Sequence, residues 1–374
     1  MLSWLSKRPA AEPPRLAIGL MSGTSVDALD AALIRETDGR AVEVLTLASS
    51  PFPPELKTRL DGLICGGTST AEALLRIETE FTDCFAKLCQ TVLEQSSEPV
   101  SVIGFHGQTL WHAPESQATW QLGLPERLAQ ATRTPVVARF RQGDMARGGQ
   151  GAPLAPLFHA AQFARETETV AVLNLGGIAN LTILEPGAPP IGWDLGPANT
   201  LSDLWHQAHF KAPFDALGAK ARSGSIHDTL LESMLADPFF QKSPPKSTGR
   251  EYFNLAWLDA QLKGFGPISA EDVQATLNRL TARLVKNALP TEVDILVACG
   301  GGVRNVHLMD CIDDEVDALL VTSDLFEIDP QAVECACFGW LALQRLSERS
   351  LDTQSVTGAK TPGLLGTVFR PSLD

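Results

Sequence analysis

Residues 16–34 read Leu-Ala-Ile-Gly-Leu-Met-Ser-Gly-Thr-Ser-Val-Asp-Ala-Leu-Asp-Ala-Ala-Leu-Ile, and the fold is decided by how this stretch turns. Apolar runs at Leu16–Leu20 and Ala31–Ile34 flank the small polar residues between Met21 and Asp30, which predicts a β-hairpin with a glycine near its tip. A Walker-type loop would instead open a helix and carry Gly-Lys-Ser/Thr, absent here. Gly23 permits a tight turn, while Ser22, Thr24 and Ser25 bring hydroxyl donors. Asp27 and Asp30 offer carboxylates to a hydrated divalent cation such as magnesium. An ordinary polar hairpin turn has the same composition, so the reading depends on what recurs.

The design recurs at residues 170–184. Val170–Leu175 predicts a strand, Gly176-Gly177 a turn, and Ile178–Leu184 a second strand. Helix and strand signals alternate after each hairpin. Thr70 to about Leu93 carries an apolar stripe at helical spacing, and Val102–Phe105 reads as a buried strand. Ser269 with Asp272 opens a second long helix that Pro290 ends. The strand 294–299 runs into Gly300-Gly301-Gly302, with a short helix from about Asn305. The expected fold is α/β: two domains with mixed sheets flanked by helices and a ligand cleft between them. We expect a flexible tail at 1–14, a first domain at 15–140 and a second at 141–374, the C-terminal segment being free to return to the first.

Composition narrows the function. The chain of 374 residues is 44% hydrophobic, long enough for two substantial cores. A formal net charge of −14 argues against nucleic-acid binding, which needs a basic surface. Seven scattered cysteines without zinc-like spacing read as reduced thiols of a cytoplasmic protein, Cys335 and Cys337 lying on the buried face of a helix. No run is long enough to span a membrane.

Three glycine turns, two of them in matching hairpins, point to a phosphate-bearing ligand. Gly176-Gly177 and Gly23 sit where backbone can approach it closely. Gly300, Gly301 and Gly302 mark a strand end where adenosine would lie, with Asn305 within reach of a ribose or base. Asp194, in Gly-Trp-Asp-Leu-Gly-Pro, suits a general base; an aspartate capping the following helix reads equally well. His106 and Gln108 follow the 102–105 strand and offer partners for sugar hydroxyls, though a histidine satisfied within the fold fits too. Arg147, in a glycine-dense segment, is placed either to grip a carboxylate or to be solvated. Glu334 stands on an apolar helix face, where a buried ligand contact is expected.

Met21-Ser-Gly-Thr-Ser25, Gly104-Phe-His-Gly-Gln-Thr109, Gly148-Gly-Gln-Gly-Ala-Pro-Leu154, Asn174-Leu-Gly-Gly-Ile-Ala-Asn180, Asp194-Leu-Gly-Pro-Ala-Asn199, Ser247-Thr-Gly-Arg-Glu251 and Cys299-Gly-Gly-Gly302 together resemble the anhydro-N-acetylmuramic acid kinase family, within the actin-like (ribonuclease H-like) superfamily. The resemblance implies an ATP- and Mg2+-dependent kinase that opens the anhydro bridge of an amino sugar with water and phosphorylates O6. It further implies murein recycling in the cytoplasm, and a homodimer. It makes Asp194 the base, and the ATP loop Gly23, Thr24, Ser25, Val26, Asp27, Ala28, Leu29 and Asp30, Asp27 reaching the metal through water. Sugar contacts fall near His106, Gln108, Arg147 and Glu334. Three residues depart from the family's usual pattern: Ala28 for glycine, Leu195 for a hydroxyl residue, and Arg139 for aspartate. A kinase for another sugar and a catalytically weak ATP-binding regulator are the competing expectations.

Overall fold

The computed structural model describes residues 15–372, apart from Thr24, Ser25, Asp27, residues 38–40 and Pro245. The expected tail at 1–14 and the ATP-loop residues Thr24, Ser25 and Asp27 lie outside the described residues. The strands in chain order are β1 Arg15–Met21, β2 Ala28–Thr37, β3 Ala41–Pro51, β4 Val100–Phe105, β5 Gln108–Ala113, β6 Ala118–Leu122 and β7 Val136–Ala138. They continue with β8 Val170–Leu175, β9 Ile178–Leu184, β10 Ile191–Pro197, β11 Ile295–Cys299, β12 Leu319–Thr322 and β13 Thr367–Phe369.

The chain divides into two compact units, 1–162 with 326–374, and 163–325. Each is built on one sheet, and the two sheets share a plan. The first runs β13-β7-β4-β1-β2-β3 and the second β10-β9-β8-β11-β12. In both, an antiparallel meander of three strands is extended by two parallel strands beside its first member, and in the first sheet β13 adds an antiparallel edge to β7. This repeated, helix-covered mixed sheet is the actin-like arrangement that the two hairpins announce. The first unit extends past residue 140 to Gln162, and it also takes the C-terminal segment from Phe326 onward.

Alternation along β1 explains why that segment belongs there. Leu16, Ile18 and Leu20 face the core shared with the helix Ala71–Gln95. Gly19 faces the other way, against the helix Val333–Leu346, where an added Cβ would sit 1.7 Å from the Cys335 carbonyl oxygen. Gly104, its register partner on β4, meets the Phe338 carbonyl in the same manner. The helix therefore lies directly on sheet backbone, with Cys335 and Cys337 buried as expected. The 71–95 helix begins where its N-cap predicts, Thr70 Oγ1 accepting from Ala73 N at 3.2 Å. In the second unit Ser269 caps the helix Ala270–Ala288. The Asp272 carboxylate, however, accepts from Ser225 N at 2.7 Å instead of closing a capping box.

Candidate active site

In the second unit the glycine turns converge on one end of the sheet. β8 and β11 run parallel, with Cys299 opposite Asn174, so Gly300 follows β11 where Gly176 follows β8. Three of the five glycines are demanded by the chain's own packing. A Cβ on Gly177 would meet Thr200 Oγ1 at 2.6 Å, one on Gly300 Asn174 Oδ1 at 2.4 Å, and one on Gly302 the Leu175 Cβ at 2.6 Å. Gly301 is different, having nothing within 4 Å, and a Cβ on Gly176 would make only ordinary contacts. Neighbouring protein thus gives no reason for glycine at these two positions, and both leave bare backbone open to a ligand.

The helix Asn199–Phe210 braces this end. Its first amides donate to the turn: Asn199 N to the Gly176 carbonyl at 3.1 Å, and Ala198 N and Thr200 N to that of Gly177 at 3.0 Å each. The Asn199 side chain adds Nδ2 bonds to the Leu175 and Gly176 carbonyls at 3.0 and 2.7 Å. Asn199 therefore pins the turn. Asn305 does cap, its Oδ1 accepting from Leu308 N at 3.0 Å at the start of the helix Val306–Asp313.

Asp194 lies on the edge strand β10, opposite Asn180 and next to a register break ending at Gly196. The segment 246–248 runs along that edge. Asp194 N donates to the Lys246 carbonyl at 3.1 Å, and Thr248 N donates to Asp194 Oδ2 at 3.0 Å. The carboxylate does not cap the 199–210 helix, so the capping alternative falls away. Burial pushes its pKa up to about 6; the Thr248 amide opposes the shift and the charge of Glu251 reinforces it. Such a carboxylate is ionised at neutral pH yet basic enough to take a proton. Leu195, the next residue, turns into the core, so a hydroxyl at that position would not face the base.

In the first unit the tip after β1 is held from two sides. Val26 is buried at φ 51°, a region a β-branched residue rarely enters. Its carbonyl accepts from Lys57 Nζ at 2.7 Å, and its amide closes a turn onto Gly23 O at 3.0 Å. Strain of this kind persists where surrounding contacts impose it, as at ligand-binding loops. Ala28 starts β2 opposite Pro51, Leu29 is buried, and Asp30 pairs with Met21. The additional methyl of Ala28 is thus carried on a strand.

Beside this tip, Ser22 Oγ donates to the buried Gln108 Oε1 at 2.6 Å. His106 is buried and wholly engaged. Its Nδ1 bonds the Gly107 carbonyl at 2.7 Å, and its Nε2 accepts from Arg141 Nε and Nη2 at 3.2 and 3.0 Å. Burial, helped by the Arg141 charge, lowers its pKa well below the ordinary value and keeps the ring neutral. The sequence names His106 and Gln108 as sugar contacts; in the structure His106 is bonded to Gly107 and Arg141, and Gln108 to Ser22.

Arg147 is largely buried, and its Nη2 has no hydrogen-bond partner and lies 3.9 Å from Asp144 Oδ1. It donates to the carbonyls of Gly143, Thr361 and Leu364 at 2.6, 3.2 and 3.0 Å, stapling the C-terminal segment to the helix Phe140–Met145. Asp144, fully buried, completes the bracket by accepting from Thr353 Oγ1, Thr357 Oγ1 and Gly151 N. Glu334 is exposed at the first turn of the 333–346 helix, not buried as expected. A carboxylate there gains from the helix dipole, and nearly every later residue of the helix turns inward. Arg139 points away from this cluster, over the Phe369 ring at 5.0 Å and toward Glu126.

Among the described residues no group of three or more His, Cys, Asp or Glu side chains is placed to hold a metal ion, and no helix is long and apolar enough to cross a membrane. A family model described as anhydro-N-acetylmuramic acid kinase matches residues 15–371. A protein of that description from Bordetella petrii is 45% identical over 371 residues, covering 96% of this chain and 97% of its own length. Another, from Xanthomonas oryzae pv. oryzae, is 42% identical over 367 residues, covering 95% and 97%. Among solved structures, a ROK family glucokinase from Streptomyces griseus in complex with glucose and AMPPNP aligns with TM-score 0.41 and 15% identity, over 88% of this chain and 99% of that one.

Proposed function

Because this chain belongs to the anhydro-N-acetylmuramic acid kinase family, we propose that it converts 1,6-anhydro-N-acetylmuramic acid, water and ATP to N-acetylmuramic acid 6-phosphate and ADP. The observation that carries the reading is Asp194, a carboxylate tuned to about 6 on the edge strand of the sheet whose end holds the glycine turns. Asp194 takes a proton from water as the water attacks the anomeric carbon. The C1–O6 bond breaks, and O6, as the leaving group, captures the γ-phosphoryl group. This is half of an inverting glycosidase, with phosphoryl capture in place of the acid.

ATP places its phosphates against the open backbone of Gly176 and Gly301, with the helix Asn199–Phe210 supporting the turn from behind. The Gly23–Asp30 loop and Asn305 are the other nucleotide contacts, and Gln108 and Glu334 belong to the sugar pocket. Mg2+ would come bound to the nucleotide, since among the described residues no cage of acidic side chains exists; Asp27 is its one expected protein neighbour. When bound it would offset phosphate charge. The reaction belongs to murein recycling in the bacterial cytoplasm, by a homodimer.

The departures at Ala28, Leu195 and Arg139 sit on a strand, in the core and on the surface, which favours the kinase over a weakened regulator. The test follows ADP release with Mg-ATP and the anhydro sugar, with Asp194→Asn beside the wild type. Sugar-dependent turnover to the 6-phosphate, reduced about 10²- to 10⁴-fold in the variant, is expected. ATP binding without sugar-dependent turnover would refute the assignment.

A further inference from the structure

Arg250 belongs to the segment that runs along the β10 edge, two residues beyond Thr248, whose amide holds the Asp194 carboxylate. Its side chain turns back toward the glycine turn of the same unit. Arg250 Nε and Nη2 lie 3.8 and 3.9 Å from the point that a Cβ on Gly177 would occupy, so one edge of the guanidinium faces that turn. It finds no acceptor there. The Gly176 carbonyl already accepts from Asn199 N and Nδ2, and the Gly177 carbonyl from Ala198 N and Thr200 N. The neighbouring Glu251 carboxylate lies over Gly249, and among the described residues no hydrogen bond or ion pair takes up the Arg250 guanidinium. A cation with all its donors to spare thus stands beside a turn of bare backbone.

We propose that Arg250 is a further catalytic residue, contacting the γ-phosphoryl oxygens of ATP during transfer, an assignment that rests on the kinase reading above. A chain with a formal net charge of −14 has no general basic field to offset a triphosphate, so the offset has to be local. On the kinase reading, Asp194 marks the anomeric carbon and the glycine turn marks the phosphates. Arg250 shares a segment with the first and faces the second, which puts its charge beside the group that is transferred. The bond from the γ-phosphorus to O6 forms as the bond to the β–γ bridging oxygen breaks, and ADP leaves with that electron pair. Arg250 neither gives nor takes a proton; it stabilises the charge spread over the equatorial oxygens.

The experiment measures sugar-dependent ADP release, and the affinities of Mg-ADP and the non-transferable Mg-AMPPNP by titration calorimetry, in wild type, Arg250→Lys and Arg250→Gln. The side chain is exposed, so both variants should keep the wild-type melting temperature. Arg250→Gln should lose about 10²- to 10³-fold in kcat with the KM for the sugar unchanged. It should bind ADP as before, while its preference for AMPPNP over ADP shrinks. Arg250→Lys, which keeps the charge without the fork, should recover part of the loss. The rise of kcat through about pH 6 should stay in place. A shift of it would mean that the substitution had displaced Thr248 from Asp194, and would overturn the proposal. So would an unchanged kcat, an equal loss of affinity for both nucleotides, or a rise confined to the KM for the sugar. Wild type that binds both nucleotides yet turns over no anhydro sugar would instead overturn the kinase reading, and the comparison of ADP with AMPPNP would still decide whether Arg250 meets the γ-phosphate.

Discussion

Asp194 has two measurable consequences. Its folded pKa of about 6 lies above the 3.8 of an unperturbed aspartate, so the folded state prefers the protonated form. A base must be ionised, so kcat should rise with pH through about 6 and level off above it, as a pH–rate profile would record. For stability the sign is opposite. The charged carboxylate opposes folding above pH 6, and that cost fades as pH falls from 6 toward 4. Asp194→Asn, which can still accept from Thr248, should therefore raise stability at pH 8 by about 1 kcal/mol and lose the advantage near pH 4. Thermal melts at both values test this, and a variant less stable than wild type at pH 8 would contradict it. Asp194 was legible because a carboxylate between tryptophan and a Gly-Pro turn is chemically conspicuous. The pairing of His106 with Arg141 was not, because nothing in Phe140-Arg141-Gln142 points to a histidine 35 positions earlier. Nor does the glycine-rich neighbourhood of Arg147 show that the carbonyls of residues 361 and 364 take up part of its guanidinium.

At the level of elements, the glycine turns separate packing from function. Gly301→Ala meets no neighbour and should leave the melting temperature almost unchanged while raising the KM for ATP about tenfold or more. Gly177→Ala drives a methyl onto Thr200 and should lower stability by about 1–3 kcal/mol as well. Identical behaviour of the two variants would remove the distinction. Strands here follow closely from period and composition: β8 and β9 begin and end where their apolar runs do. What periodicity could not supply was the facing of single residues at element ends. Glu334 sits in the first turn of its helix, exposed between the buried Val333 and Cys335, so the apolar sequence around it does not reveal its own facing.

For the whole molecule, the shared sheet order shows that the repeat seen in two hairpins extends through each unit's sheet. The boundary was harder to place, because the close approach of Gly19 and Gly104 to residues 335 and 338 is a long-range fact with no local signal. It makes the units unequal. Unit 163–325 is one continuous stretch with its own core, so that fragment should fold alone, giving a cooperative melt by circular dichroism. The fragment 1–162 lacks the helix that seals its sheet and should not.

That inequality sets an order of events during synthesis. When the ribosome has released the first 162 residues, the Gly19–Gly104 face is bare backbone awaiting a partner some 170 residues from being translated. The later unit can mature first, as a finished insert carried on an unfinished host. The beginning of the chain acquires its native form only when its end arrives.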